Sequence, residues 1–166
     1  MPILDAHSFE FTSRSPEQTR RIGIRLGSSL QAGDVICLSG ELGAGKTTLV
    51  QGIAQGWGSL DAVTSPTFVL VNNYRKTGGF EMNHFDAYRV QNALEAEDLD
   101  LTGMIADGPF LVEWAERVKS VLPEDHLWIN MKYLDEEQRS LLFNPHGKRF
   151  EQMVEKLRMS ILKGLE

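Results

Sequence analysis

Residues Gly40 to Thr47 have the types and the spacing of a loop that binds phosphate groups. They read Gly-Glu-Leu-Gly-Ala-Gly-Lys-Thr and match every fixed position of the pattern G-x-x-x-x-G-K-S/T. Glycines let the backbone curl so that successive N–H groups point at phosphate oxygens. Lys46 supplies a positive charge for the β- and γ-phosphates, and the Thr47 hydroxyl is suited to Mg²⁺. This glycine-rich loop therefore predicts binding of ATP or ADP with Mg²⁺. The expected nucleotide-binding residues are Leu42, Gly43, Ala44, Gly45, Lys46, Thr47 and Thr48.

The segments on either side of the glycine-rich loop are those that a phosphate site requires. Val35–Ser39 has the continuously apolar character of a central strand that is covered on both faces. A helix is predicted from Lys46 to about Gln55, where Gly56 and Gly58 stop it. The positive end of the dipole of this helix faces the same phosphates as the loop. A chance glycine turn before a helix is a much weaker explanation of a complete motif in this context.

Two acidic residues follow apolar segments further along the chain, Asp86 after Phe80–Phe85 and Glu113 after Phe110–Val112. In parallel α/β sheets ligands bind at the carboxyl ends of the strands, so both acids are expected to face the glycine-rich loop. Hydrolysis of a nucleotide needs a carboxylate near the magnesium ion and a group that orients water. We therefore predict Lys46, Asp86 and Glu113 as catalytic residues. Either acid alone is equally well explained as a helix cap or as the partner of an arginine, but their coincidence favours a site.

Three further features have an ordinary structural explanation as well as a functional one. Thr64–Thr67 is a hydroxyl-rich loop at the chain position of the switch loops that sense the γ-phosphate in nucleotide hydrolases. A turn before a strand explains the same residues slightly better from their chemistry alone. His84 is interpreted as a core histidine with satisfied hydrogen bonds, and Trp114 as a core aromatic rather than an interface residue.

The order of the remaining segments predicts a single α/β domain over residues 1–166, with a mixed central sheet flanked by helices. Strands alternate with helices at first, and hairpins follow. The other predicted elements are a strand at Ser8–Thr12, a helix from Ser15 to about Leu30, a hairpin of Phe68–Tyr74 with Phe80–Phe85, a short acidic helix at Asn92–Leu99, an antiparallel pair of His126–Leu134 with Arg139–Phe143, and a helix at Phe150–Leu162 whose apolar stripe docks on its own sheet.

Composition limits the partners and the location of the protein. The net charge is −6 and the basic residues are scattered, so we expect any action on RNA to pass through other proteins. No segment approaches the roughly 20 apolar residues that span a bilayer, and the first ten residues lack a secretory signal. The single cysteine, Cys37, is expected to be a small buried hydrophobic residue. The cytoplasm is the expected location, with no membrane association.

Four motifs together resemble the bacterial TsaE (YjeE-like) ATPases of tRNA threonylcarbamoyladenosine biosynthesis. They are Gly-Glu-Leu-Gly-Ala-Gly-Lys-Thr-Thr at 40–48, Val-Thr-Ser-Pro-Thr-Phe at 63–68, His-Phe-Asp-Ala-Tyr-Arg at 84–89 and Val-Glu-Trp-Ala-Glu-Arg at 112–117. The first motif occurs in many nucleotide hydrolases, whereas the combination of the other three is far more diagnostic. The similarity spans roughly Ser15 to Ile129, and the segment after Leu134 matches only loosely.

The resemblance implies a P-loop NTPase fold and a weak ATPase activity that serves a complex with TsaD- and TsaB-like proteins. That complex attaches threonylcarbamoyl to adenosine 37 of ANN-decoding tRNAs, so tRNA is met indirectly. At the matching positions, Thr47 and Glu113 would hold Mg²⁺ and Asp86 would be a second essential acid. The residues Thr64, Ser65 and Thr67 would form a switch that contacts partners, and Trp114 would lie beside the active site.

Two alternatives stay open, a small-molecule kinase and a nucleotide-dependent interaction module without useful turnover. Kinases of this kind need several arginines to neutralise a second phosphate or an acceptor, usually on a lid. After the glycine-rich loop, Arg75, Arg89 and Arg117 are spread singly, which disfavours a kinase. A GTPase is weaker still, because no Asn-Lys-x-Asp motif follows the loop. Release of phosphate with and without partner proteins separates the interaction module from a slow ATPase.

Overall fold

A mixed β-sheet between helical layers forms the centre of the protein. The computed structural model describes residues 6–41, 43–63, 71–91, 96–97 and 99–164. The elements in this part of the chain are β1 (Phe9–Ser13), α1 (Pro16–Gly27), β2 (Val35–Ser39), α2 (Lys46–Trp57), β3 (Val71–Arg75), β4 (Glu81–Asp86), α3 (Leu101–Asp107), β5 (Phe110–Glu113), two 3-10 turns (Ala115–Arg117 and Lys119–Val121), β6 (His126–Tyr133), β7 (Arg139–His146) and α4 (Lys148–Gly164).

The strands described form one seven-stranded sheet in the order β1-β7-β6-β2-β5-β4-β3. Strand β2 lies at the centre and pairs in parallel with both β5 and β6, and β4 pairs in parallel with β5. The outer pairs, β1 with β7, β6 with β7 and β3 with β4, are antiparallel. The predicted α/β fold with a mixed sheet is therefore confirmed, and the carboxyl ends of β2, β4 and β5 meet at one edge.

The alternation of side chains along β2 divides the core into two layers. Ile36 and Leu38 contact the layer that includes α1, α2 and α4, whereas Val35 and Cys37 point to the layer that includes α3. All four side chains are fully buried, as predicted for a central strand. Burial raises the pKa of the Cys37 thiol to about 12, so this residue remains a protonated hydrophobic group.

Helix α4 docks on the sheet of its own chain, as its sequence pattern predicts. The apolar stripe of this helix, which contains Phe150, Val154, Leu157 and Ile161, is buried in the core beside α1 and β7. Burial of such a stripe is the main source of stability for a surface helix. None of the described helices has both the length and the apolar character needed to cross a membrane.

Several predicted boundaries differ from the structure. Helix α2 continues through Gly56 and ends at Trp57, where Gly58 adopts a left-handed conformation with φ of 106°. Helix α3 was not predicted, because seven residues with an internal glycine give too little periodicity, and the Asp100 cap is a weak signal on its own. Residues 68–70 of the predicted hairpin, and most of the predicted helix at Asn92–Leu99, lie outside the described residues.

Helices α1 and α2 approach so closely that their backbones touch through glycines. A Cβ atom added to Gly27 would lie 2.0 Å from the carbonyl oxygen of Ile53, and one added to Gly56 would lie 2.0 Å from that of Ile24. Gly23 and Gly52 make equally restrictive approaches from the two helices. Because no other residue fits these positions, the glycines fix α2, and with it Lys46, against the rest of the domain.

We expect Gly52→Ala to destabilise the protein, although alanine is the better helix former by about 1 kcal/mol in an exposed helix. The added methyl group would lie 2.2 Å from the carbonyl oxygen of Arg20, so the helices must separate. A loss of about 2 kcal/mol in the free energy of unfolding is expected from such overpacking. Urea denaturation measures it, with the exposed Gln55→Ala as the control. A Gly52→Ala variant as stable as the parent would contradict the steric account.

Candidate active site

The glycine-rich loop connects the end of β2 to the first turn of α2. Gly45 precedes the helix in a left-handed conformation, with φ of 94°. A residue with a side chain would be strained in this conformation. Gly40 passes so close to β6 that an added Cβ atom would lie 2.5 Å from the carbonyl oxygen of Met131. Thr47 and Thr48 occupy the first turn of the helix and are half-buried. Leu42, another predicted nucleotide-binding residue, lies outside the described part of the chain.

The Lys46 side chain folds back over the glycine-rich loop. Its Nζ donates hydrogen bonds to the carbonyl oxygens of Gly40 and Glu41, the latter at 3.2 Å. The same atom lies 4.1 Å from the centre of the Trp114 ring, a cation–π distance. Burial lowers the pKa of the Lys46 amine, and the negative charges of Glu113, Glu116 and Asp86 oppose this effect. The predicted lysine therefore lies where the loop meets the acidic strand ends.

The two predicted acids are neighbours on adjacent strands. Asp86 at the end of β4 pairs directly with Glu113 at the end of β5, so both side chains lie on the same face of the sheet. Burial raises the pKa of the Asp86 carboxyl, and the charge of Glu113 adds to this effect. The Tyr88 N–H group, at 2.9 Å from Oδ1 of Asp86, and the positive charge of Lys46 act in the opposite direction. The structure thus brings Lys46, Asp86 and Glu113 together.

His84 is more closely connected to this site than its sequence position suggested. Its Nε2 lies 2.6 Å from Oε2 of Glu113, and its Nδ1 lies 2.8 Å from the hydroxyl of Tyr74. The prediction of a core histidine with satisfied hydrogen bonds is confirmed, since the side chain is fully buried, but it did not include the contact with Glu113. The sequence did contain a signal that His84 belongs to the site. His84 and Asp86 are two residues apart on one strand, so their side chains must point to the same face of the sheet.

Trp114 combines a strained backbone with a position beside Lys46. It is the only non-glycine residue with a positive φ in the described part of the chain, at 57°, a conformation that costs on the order of 1–3 kcal/mol. Its ring is half-buried and lies 5.0 Å from the ring of Tyr88, between centroids. The interpretation of Trp114 as a purely core aromatic is therefore incomplete, because one face of the ring covers the lysine of the loop.

Arg139 is a residue of the site that sequence reasoning missed. From the start of β7, its Nε donates a hydrogen bond to the carbonyl oxygen of Gly43, at 3.1 Å. Its guanidinium lies 4.7 Å from the centre of the Tyr133 ring, so the aromatic face supports the cation. No local pattern marked this arginine, since its contact with the loop depends on β6 lying beside β2, a pairing between segments far apart in the chain.

The oxygen ligands near the loop suit Mg²⁺ better than a metal with a complete protein cage. Among the described residues, no group of three or more histidine, cysteine, aspartate or glutamate side chains could hold a metal ion. Mg²⁺ is usually held by one or two carboxylates together with substrate phosphates, and the rest of its ligands are waters. The Thr47 hydroxyl and the Glu113 carboxylate, which the sequence predicts as Mg²⁺ ligands, would provide oxygen donors of this kind. The predicted switch residues Thr64, Ser65 and Thr67 lie outside the described residues.

We expect Asp86→Asn to stabilise the nucleotide-free protein at neutral pH. The folded protein raises the Asp86 pKa, so the charged form opposes folding, and this cost grows as pH rises from the ordinary pKa of aspartate, about 3.9. Asparagine removes the charge and still accepts from the Tyr88 N–H group. Thermal unfolding should show a higher midpoint than the parent at pH 7, with the advantage shrinking as pH is lowered.

Asp61→Asn is the matched control for Asp86→Asn, with the opposite sign. Hydrogen bonds from Arg75 lower the pKa of the Asp61 carboxyl, so the loss of that charge should lower the unfolding midpoint at pH 7. A lower midpoint for Asp86→Asn than for the parent would show that the charged Asp86 stabilises the fold.

Comparisons with known proteins agree on one family. The family model described as "Threonylcarbamoyl adenosine biosynthesis protein TsaE" matches residues 13–141. The tRNA threonylcarbamoyladenosine biosynthesis protein TsaE of Bacillus subtilis is 38% identical over 144 residues, which cover 86% of this chain and 89% of that protein. The protein of the same name from Streptomyces coelicolor is 49% identical over 110 residues, covering 65% of this chain and 74% of that protein.

A solved structure has the same fold as this chain. The crystal structure of YdiB from Bacillus subtilis superposes with a TM-score of 0.76 at 31% sequence identity, covering 92% of this chain and 95% of that one. The residues that the family model matches include the glycine-rich loop and both acidic strand ends. The chain therefore belongs to the TsaE family of tRNA threonylcarbamoyladenosine biosynthesis proteins.

Proposed function

We propose that this protein binds ATP and ADP with Mg²⁺ at the glycine-rich loop and hydrolyses ATP slowly. The observation that carries the proposal is the meeting of Lys46, Asp86 and Glu113 at the carboxyl ends of the parallel strands. Two carboxylates beside a loop that binds anions would repel the anion. Their presence is explained if a cation or a reacting water is also bound there. Within its family, the activity would serve modification of adenosine 37 of tRNA in the cytoplasm.

The loop and α2 supply the binding of the phosphates. Backbone N–H groups of the loop and the positive end of the helix dipole face the same volume, which favours an anion. On binding, Lys46 would exchange its hydrogen bonds to Gly40 and Glu41 for bonds to phosphate oxygens. This exchange requires little rearrangement, because the amine is already desolvated and lies against Trp114.

The acids supply the chemistry of hydrolysis. Thr47 and Glu113 would hold Mg²⁺, which when bound neutralises charge that develops on the phosphates. Asp86 has a raised pKa and still accepts from the Tyr88 N–H group, so its carboxylate is oriented for hydrogen bonding. We assign to Asp86 or Glu113 the orientation of the attacking water. A neutral asparagine or glutamine at these positions would keep the shape but lose the charge.

The surface beside Lys46 suits a protein partner. Tyr88, Trp114 and Arg117 form an aromatic–arginine patch, with the Arg117 guanidinium 5.5 Å from the Tyr88 ring centre and 5.9 Å from that of Trp114. Tyr88 is 43% exposed, and residues of these three types are enriched at interface hot spots. We propose that this patch, together with Thr64–Thr67, contacts a TsaD–TsaB-like complex. The net charge of −6 agrees with a partner that holds the tRNA.

Two variants should separate nucleotide binding from hydrolysis. Lys46→Ala removes a charge-assisted contact worth about 1.5–3 kcal/mol, so ADP affinity should fall about tenfold or more by calorimetry. Glu113→Gln should keep ADP bound in the absence of Mg²⁺, because the loop amides remain, but should lower phosphate release by at least about tenfold.

The exposed Lys163→Ala is the control for a lysine without a nucleotide role. Unchanged ADP affinity in Lys46→Ala would refute the binding site. Parent-like turnover of Glu113→Gln at saturating Mg²⁺ would move the hydrolytic role to Asp86 or remove it from both acids. A parent that binds ATP with no phosphate release, alone or with partners, would favour the interaction module.

Nucleotide state should change the affinity for the partner complex. Because the aromatic–arginine patch contacts Lys46 through Trp114, loss of the γ-phosphate is expected to alter it. In a binding assay with a purified TsaD–TsaB-like complex, ATP should strengthen binding relative to ADP. Tyr88→Ala should weaken binding about tenfold, whereas Met159→Ala, a change of similar exposure on α4, should not. Tight binding of the isolated chain to tRNA at physiological salt would reject this account.

A further inference from the structure

A buried chain of hydrogen bonds leads from the β3–β4 hairpin to the acid at the end of β5. Asn72 and His84 are direct partners across the hairpin, and Tyr74 lies on the same face. The residues Tyr74, His84 and Glu113 are 2%, 0% and 5% exposed. A hydrogen-bonded histidine between a phenol and a carboxylate, all shielded from water, is more than an apolar core needs. Leucine at this position would cost less desolvation.

One arrangement of protons satisfies both hydrogen bonds of the His84 ring. Burial raises the pKa of Tyr74 to about 12, so its hydroxyl is protonated, and the Asn72 side chain donates to its oxygen. The Tyr74 proton is then available to Nδ1 of His84, at 2.8 Å. When Nδ1 accepts from the Tyr74 hydroxyl, the proton of the ring lies on Nε2 and is donated across the 2.6 Å bond to Oε2 of Glu113.

We propose that His84 is a positioning residue for Glu113: its Nε2–H group holds Oε2 of that carboxylate, and Tyr74 with Asn72 fixes the histidine tautomer. The other oxygen, Oε1, is thereby left for a ligand on the loop side. This inference rests on the proposed function, in which Glu113 faces Mg²⁺ and nucleotide. It assigns to His84 a role through Glu113 and not a contact with the substrate.

The flexibility of Glu113 explains why a hydrogen bond from His84 matters for the orientation of its carboxylate. Glu113 has three side-chain torsions, and every turn of its carboxylate changes which oxygen faces the loop. A hydrogen bond from a rigid, buried ring restricts that freedom before any ligand arrives. Partners of this kind, which orient a metal-binding side chain, typically change metal affinity or activity by 10- to 100-fold when they are replaced.

The first test concerns the parent protein without nucleotide or metal. Long-range ¹⁵N–¹H NMR spectra distinguish the two ring nitrogens, and the signals of His84 are assigned by their absence in His84→Gln. We expect the proton on Nε2 and a bare Nδ1. A bare Nε2 would overturn the proposal, because His84 could then donate no hydrogen bond to Glu113.

The second test measures how Mg²⁺ changes ADP affinity in variants of His84. His84→Leu introduces an apolar side chain of similar size and removes both hydrogen bonds. In this variant, ADP binding without Mg²⁺ should match the parent within about twofold. The gain in ADP affinity on addition of Mg²⁺ should fall about 10- to 100-fold. His84→Gln keeps an N–H donor at a similar reach and should restore most of the gain. In ATP hydrolysis, kcat should fall in His84→Leu with little change in KM.

His126→Gln is the matched control, because His126 is also buried but begins β6, away from the site, and its Nδ1 lies 2.9 Å from the Pro123 carbonyl oxygen. Circular dichroism establishes that each variant is folded, and the NMR test decides the proposal if His84→Leu is not. A folded His84→Leu with the Mg²⁺ response of the parent would refute the role of His84 alone. A parent that binds no ADP, with or without Mg²⁺, would instead refute the proposed function.

Discussion

The backbone contact between α1 and α2 is the constraint on which the site depends. Helix α2 begins with Lys46 and Thr47, so any displacement of that helix moves the loop residues relative to the strand ends. Gly27 and Gly56 leave no room for a side chain at the contact, and the two helices therefore lock together over several turns. Apolar side chains alone would allow the helices to slide, because different packings of flexible side chains differ little in energy. Carbonyl oxygens pressed against Cα atoms allow far less adjustment.

The parallel register of β2, β5 and β4 supplies the other half of the site. Glu113 pairs with Leu38 on one side and with Asp86 on the other, so the acids lie beside the strand that leads into the loop. Trp114 then turns the chain in a left-handed conformation, which directs its ring over Lys46. Strain at this residue is offset by the packing of the ring against Tyr88 and the lysine. Loop, acids and aromatic patch are thus placed by three adjacent strands and one helix.

The sequence predicted the parts of the site that depend on local pattern. The loop, the central strand and the acids at strand ends were all predictable, because each is marked by residues that are close together in the chain. The contact of His84 with Glu113 was not, since it requires that β4 lie beside β5. Arg139 lies at the loop only because β6 pairs with β2, which is a pairing of the same non-local kind. Glycines four residues apart are visible in both helices, but spacing alone does not reveal which helix they meet.

The balance of charge at the site bears on which form of nucleotide it would accept. Glu113, Glu116 and Asp86 all act on Lys46, so carboxylates outnumber the amine that they surround. Under the proposed function, a free nucleotide would bring several further negative charges toward these acids, and Lys46 with Arg139 offsets only part of that repulsion. A nucleotide that arrives with Mg²⁺ carries its own compensation and gives the acids a partner. Electrostatics therefore favours the metal-bound nucleotide, and a carboxylate already oriented by His84 would meet it without first losing its own freedom to rotate.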